Sequence, residues 1–281
     1  MSIVINTNVS SLNAQRHLSL NTINLHKTME KLASGFRINK AADDAAGLQI
    51  SETLRAQIRG SQKALDNVQD GVSILNMMDG AMSTITENIQ RMRELAVQAA
   101  NDTLASTQRS AIKLELDQLA LDITRVSDAT DFNGVKVLNG SMASNFFIQV
   151  GPNANNTVDR IDMAAGNTFA DIDATALAVN NLIVTDNANS QTTISTLDAA
   201  LATVNGRRAT VGALTNRLQS AATNLQVNIE NLSAAESRIR NVDVAKESAQ
   251  LSRNQILQQA SSTILAQANQ SPQIALSLLK G

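Results

Sequence analysis

Residues 68–99, VQDGVSILNMMDGAMSTITENIQRMRELAVQA, decide the fold. Val68, Leu75, Met82, Ile89 and Ala96 recur every seven residues without a break. Met78, Ile85, Met92 and Ala99 form a second line beside them, after an irregularity at Met77-Met78. A seven-residue repeat keeps one stripe of a helix against a partner helix. The pattern extends from Gly47 to Asn101 and predicts one helix ~80 Å long, at about 1.5 Å per residue. Four methionines here could line a promiscuous groove, but their heptad spacing assigns them to core packing.

Asn101-Asp102-Thr103 interrupts this helix. A second helix, about 104–128, carries Ile112, Leu116, Leu119, Ile123 and Val126 in heptad steps. Farther on, Leu197, Val204, Val211, Leu218, Leu225, Leu232 and Ile239 repeat by seven, predicting a helix over 194–239. Two such segments satisfy each other as a long antiparallel coiled coil. Between them the period changes. Asp131-Phe132-Asn133-Gly134 is a turn signal, and Val135 to Leu138 followed by Asn139-Gly140 predicts a short strand and a tight turn. Phe146 to Val150 predicts another strand, ended by Gly151-Pro152. Residues 151–190, rich in Asn, Asp, Thr and Ala, read as irregular surface structure with one or two short strands. The expected fold is mainly α: a long antiparallel coiled-coil or helical-bundle rod with a small β-hairpin region in the middle of the chain.

The termini carry thinner stripes. Leu18, Leu25 and Leu32 are seven apart among Asn, Ser and Thr. Val242, Ala249 and Ile256 repeat that style near the C-terminus, followed by Leu257 and Ile264, with Pro272 expected to bend or end the helix. Such helices are marginal alone and depend on a partner for burial. The reading therefore divides the chain into an inner part (1–44 and 241–281) and an outer part (45–240).

Leu32 to Ile50, LASGFRINKAADDAAGLQI, reads as a helix stop followed by a helix start. Gly35 can take the left-handed conformation that closes a helix. Asp43-Asp44 stands where a carboxylate caps the next one. These adjacent carboxylates point apart on a helix, so capping explains them better than acid–base chemistry.

Composition narrows the function. Of 281 residues, 43% are apolar but only 2% aromatic, which suits helix-on-helix packing more than a globule built on aromatic wedges. A net charge of −2 supplies no field for nucleic acid or an anionic membrane. No uninterrupted apolar stretch approaches membrane-spanning length, and the first residues, MSIVINTNVSSLNAQ, lack the pattern of a cleaved secretory signal. Alone, that favours the cytosol. The absence of cysteine fits a cytosolic chain, and equally a chain exported unfolded. Only His17 and His26 are present, each on a polar position without neighbouring carboxylates. No HExxH, G-x-S-x-G or phosphate-cradling glycine loop occurs, so no enzyme activity and no cofactor or metal is expected.

The Leu32–Ile50 segment resembles the LSSGLRINSAKDDAAG signature near the N-terminus of bacterial flagellins. Asn254 to Leu279, NQILQQASSTILAQANQSPQIALSLL, resembles the family's C-terminal signature. The resemblance runs over about 1–138 and 197–280 and leaves only the middle unmatched, as in a short form without large outer domains. Phe36 stands where leucine is usual, 240–244 replaces a more acidic sequence, and the chain ends Leu279-Lys280-Gly281 rather than on arginine.

The resemblance implies a subunit that polymerises with itself into the extracellular filament of the flagellum for swimming motility. It implies type III export without a cleaved signal and, as partners, the export apparatus, an export chaperone and the hook-associated and cap proteins. It implies terminal helices that fold on assembly and line a central channel, with Leu18, Leu25, Leu32, Val242, Ala249, Ile256, Leu257 and Ile264 as assembly positions. Arg91 to Gln98, RMRELAVQ, reads by itself as a solvated helix face. In flagellins of several groups this stretch is read by an innate immune receptor, and Arg91, Leu95 and Glu115 match the motif positions, with Arg91 and Leu95 expected on one face. The alternatives are a hook–filament junction protein and a monomeric secreted ligand or adhesin.

Overall fold

A computed structural model describes residues 7–142, 146–164 and 168–279, with side chains to 270. Five helices and two small hairpins follow in the order α1 (Val9–Ser34), α2 (Ala45–Ala99), α3 (Ser106–Ala129), β1 (Asp131–Phe132), β2 (Val135–Lys136), β3 (Phe147–Gln149), β4 (Arg160–Asp162), α4 (Asn187–Arg240) and α5 (Val244–Leu279). The chain forms two compact units, 57–231 and the paired terminal parts 1–56 and 232–281. The boundaries between these compact units fall within α2 and α4.

In the 57–231 unit, the heptad lines meet as the sequence requires. Val68, Leu75, Met78, Met82, Ile85, Ile89 and Met92 of α2 are buried with Ile112, Leu116 and Ile123 of α3 and Leu197, Val204, Val211, Leu218 and Leu225 of α4. Met78 lies inside and Met77 outside, which places the irregularity in the repeat at the point where the stripe shifts. Polar pairs fix direction. Arg93 reaches Asp198 at 2.7 Å, and Arg208 reaches Asp79 at 2.8 Å, so α2 and α4 run antiparallel. Arg91–Glu115 and Asn88–Asp122 set α3 antiparallel to α2 in the same way.

Asn133 and Gly134 both have positive φ and form the tight turn joining β1 to β2. The turn falls within the expected Asp131–Gly134 signal, directly before the expected strand, of which β2 keeps only Val135–Lys136. The expected strand around Phe146 to Val150 is β3, paired with β4 through Ile148 and Ile161. Gly71 of α2 lets Ile148 and Leu218 approach: a Cβ there would lie 3.2 Å and 3.1 Å from them.

The middle segment departs from its reading as surface structure. Ile161, Met163, Phe169, Ile172, Leu177, Val179, Leu182 and Val184 are all buried. Leu182 and Val184 are buried while Ile183 between them is exposed, so polar spacers mask an alternating apolar face. Arg207 clamps this segment to α4, donating to the carbonyls of Ala170 and Asp171 at 2.7 and 2.8 Å. Burial pushes its guanidinium pKa down, with Asp171 opposing the shift.

In the terminal unit, Gly35 adopts φ 73° and closes α1 through its N–H to the Lys31 carbonyl at 3.0 Å. Asp44 caps α2, accepting from the Gly47 N–H at 2.9 Å. Asp43 instead closes the preceding loop by accepting from the N–H groups of Asn39 and Lys40, which hold its carboxyl below the usual range. Phe36 bridges antiparallel to Asn241, and Arg240 stacks over its ring at 4.8 Å while pairing with Glu52. The α5 helix runs through Pro272 to Leu279, so the proline does not end it.

Candidate assembly interface

The α1 and α5 helices pack antiparallel, and the seam between them is polar. Asn254 Nδ2 donates to Thr28 Oγ1 at 3.0 Å with both residues buried. One heptad along, Asn21 Nδ2 donates to Ser261 Oγ at 2.8 Å. Farther out, Asn8 Nδ2 donates to the Ala268 carbonyl at 2.7 Å, and Ser11 Oγ to Asn269 Oδ1 at 2.6 Å. The seam residues are themselves heptads: Ala14, Asn21 and Thr28 on one helix, Asn254, Ser261 and Ala268 on the other. Small side chains let the helices approach, and each buried polar group has a partner.

Leu25 is buried and Leu18, Leu32, Leu251 and Leu265 are half-buried, but many other large apolar groups are exposed. On α1, Leu12 and Ile23 are 58% and 55% exposed; on α5, Ile256 and Ile264 are 65% and 57% exposed. Val9, Leu20, Met29, Val244 and Leu257 join them. Of the sequence-derived assembly positions, only Leu25 is buried in the seam; Leu18, Leu32 and Val242 are half-buried, and Ala249, Ile256, Leu257 and Ile264 face out. The sequence reading followed the apolar heptads and missed the polar one. The repeat of Asn, Ser, Thr and Ala at seven-residue spacing was the signal that could have found it.

The pair thus carries hydrogen bonds in its buried seam and leaves large apolar groups of both helices exposed. Among the described residues no group of His, Cys, Asp and Glu could hold a metal, and no described helix is long and apolar enough to cross a membrane.

The residues expected at an immune receptor divide. Arg91 donates to Glu115 at 2.9 and 3.1 Å and to Glu94 at 3.2 Å, all exposed. Leu95 does not share that face. It is only 3% exposed and packs in the 57–231 core, because α2 turns it toward the partner helices.

Family models for the bacterial flagellin N-terminal and C-terminal helical regions match residues 5–143 and 194–279. Over 279 residues the chain is 44% identical to a flagellin of Halalkalibacterium halodurans, covering 99% of this chain and all of that one. The chain belongs to the bacterial flagellins. It is also 43% identical over 302 residues to a flagellin of Bacillus subtilis, covering 98% of this chain and 99% of the other. The crystal structure of Bacillus cereus flagellin matches with a TM-score of 0.50 and 30% identity, covering 61% of this chain and 94% of that one. As a flagellin, the chain is a structural subunit of the flagellar filament, the extracellular part of the flagellum, and polymerises with itself.

Proposed function

We propose that the α1·α5 pair is the part of this flagellin that completes its burial only on polymerisation. The observation that carries it is the helix pair whose seam holds buried Asn, Thr and Ser side chains while Leu12, Ile23, Ile256 and Ile264 are exposed. Burying apolar surface yields about 25 cal/mol per Å², so several outward Leu and Ile side chains meeting neighbouring copies supply several kcal/mol per subunit. The polar seam keeps the pair in register while it is solvated, and the apolar faces wait for other copies. A head-to-tail contact that does not close generates a helical polymer. In that polymer the terminal pairs line the central channel, and the chain reaches it unfolded through the flagellar type III apparatus, with an export chaperone, hook-associated and cap proteins as further partners. Removing both 1–44 and 241–281 tests the reading. The remaining chain stays helical and does not polymerise on filament seeds; filaments from that truncated chain would overturn it.

A second reading rests on the exposed Arg91–Glu115 network: recognition of the free subunit by an innate immune receptor. Arg91 and Glu115 then supply the direct contacts, and Leu95 acts from inside by holding α2 in place. Receptor binding that is unchanged in Arg91→Ala with Glu115→Ala contradicts this.

A further inference from the structure

Asn–Gly pairs occur at three places in the chain: Asn133-Gly134, Asn139-Gly140 and Asn205-Gly206. The pair is chemically labile, because a glycine nitrogen with no Cβ beside it can attack the side-chain amide carbon of the asparagine before it. Three conditions govern the attack. The glycine N–H must be free to lose its proton, the amide carbonyl must be polarised, and the backbone must not be locked in a helix.

Two of the three pairs are guarded. The Gly206 N–H belongs to the hydrogen-bond ladder of α4, well inside Asn187–Arg240. The Gly134 N–H donates to the Asp131 carboxylate at 3.2 Å. Asn139 has neither protection. It lies outside the helices and strands, half-buried in a turn where Gly140 takes φ 75°. Its Oδ1 accepts two hydrogen bonds from Ser141, one from the N–H at 3.1 Å and one from Oγ at 2.6 Å. The Gly140 N–H makes no hydrogen bond among the described residues.

We propose that Asn139 is a self-modifying position: it deamidates through attack by the Gly140 nitrogen, with Ser141 polarising the amide. The Gly140 nitrogen gives its proton to solvent base and bonds to Asn139 Cγ. Negative charge gathers on Oδ1, where the Ser141 N–H and hydroxyl already donate, as the donors of an oxyanion hole do. The Cγ–Nδ2 bond breaks, ammonia leaves with a proton from water, and a cyclic imide remains. Water opens the imide on either side, to aspartate or to isoaspartate. The net change is one water taken up and one ammonia released, with no oxidant or reductant. The consequence is local. The Leu138 carbonyl, just before the pair, accepts from the Ile172 N–H at 3.0 Å and from Ser127 Oγ at 2.9 Å. Isoaspartate routes the backbone through the side chain and lengthens it, which loosens this anchor of the buried Ile172. The inference stands apart from the assembly reading and survives or fails without it.

The test is peptide mass mapping of the folded full-length chain during incubation in mildly alkaline buffer, beside a sample held in denaturant. In the folded chain Asn139 should convert at least about tenfold faster than Asn133 or Asn205, and in denaturant the three should convert together. Ser141→Ala should slow Asn139 about 2- to 10-fold in the folded chain, the worth of one hydrogen bond, and leave its rate in denaturant unchanged. Ser141→Thr keeps the hydroxyl and should keep the folded rate. Ser141 is exposed, so both variants should fold, which circular dichroism checks. Conversion of Asn133 or Asn205 first, or an unchanged folded rate in Ser141→Ala, overturns the proposal. So does a preference for Asn139 that persists in denaturant, which would assign the lability to sequence alone.

Discussion

Asn254 of α5 and Thr28 of α1 lie 226 positions apart in the chain and share one buried hydrogen bond of 3.0 Å. Thr28 Oγ1 also donates to the Asn24 carbonyl at 3.0 Å, so its hydroxyl is satisfied as donor and acceptor. Asn254→Leu strips the acceptor side of Thr28 and forces a larger apolar group into a polar seam. The pair should lose about 1–3 kcal/mol, read as faster amide exchange in α1 and α5 with exchange in 75–92 unchanged. Adding Thr28→Val should recover part of the loss, since an apolar pair leaves nothing unsatisfied.

Two glycines should respond in opposite directions. Gly35 holds φ 73°, and a Cβ there meets no atom within 4 Å, so Gly35→Ala costs only backbone strain, about 1–2 kcal/mol. Gly80 lies inside α2, also with open space around it. Gly80→Ala should stabilise the chain by about 1 kcal/mol. Thermal unfolding of the two single variants checks the sign of each.

Core truncation should separate the units. Leu75 is fully buried in the 57–231 unit, and Leu75→Ala should cost about 2–5 kcal/mol in denaturant unfolding. Ile256→Ala, at an exposed position, should leave the unfolding of the monomer within about 0.5 kcal/mol.

Acid should weaken both units. Arg125 and Asn88 bond Asp122, and the Lys40 and Asn39 N–H groups bond Asp43; both carboxyls are held below their ordinary range. A carboxyl lowered in the folded state contributes stability above its unfolded pKa and loses it as pH falls through the folded one. Unfolding measured from pH 6 downward should therefore show the loss beginning near about pH 4. Asp122→Asn should flatten part of that slope, and an unchanged slope would contradict the assignment.

The parts legible in sequence are those where one force dominates. Leu197 to Leu225 announced a core because a seven-residue apolar repeat has few other uses, and Gly35 and Asp44 announced helix ends because their chemistry is local. The β1–β2 turn was legible at Asp131–Gly134 for the same reason, while β2 is shorter than the 135–138 run because only Val135 and Lys136 find partners across it. The burial of Phe169, Ile172 and Leu182 stayed hidden because Asn and Asp spacers lower the local hydropathy while α4 and Arg207 supply the cover. At the assembly interface the sequence named Ile256 and Ile264 but not what they oppose. The seam was invisible to a search for apolar stripes, since Asn21, Thr28, Asn254 and Ser261 repeat in a polar alphabet. Leu95 failed for a related reason: its spacing from Arg91 allows one helix face, but the wide buried stripe of α2 claims it.

Seeded polymerisation of the Ile256→Gln, Ile264→Gln variant, followed by electron microscopy, tests the central claim most directly. The expected result is a monomer with wild-type circular dichroism and wild-type exchange in the Asn254–Thr28 seam that fails to extend seeds. Filaments of normal length and yield from this variant would contradict it, because the outward faces of α5 would then have no part in assembly.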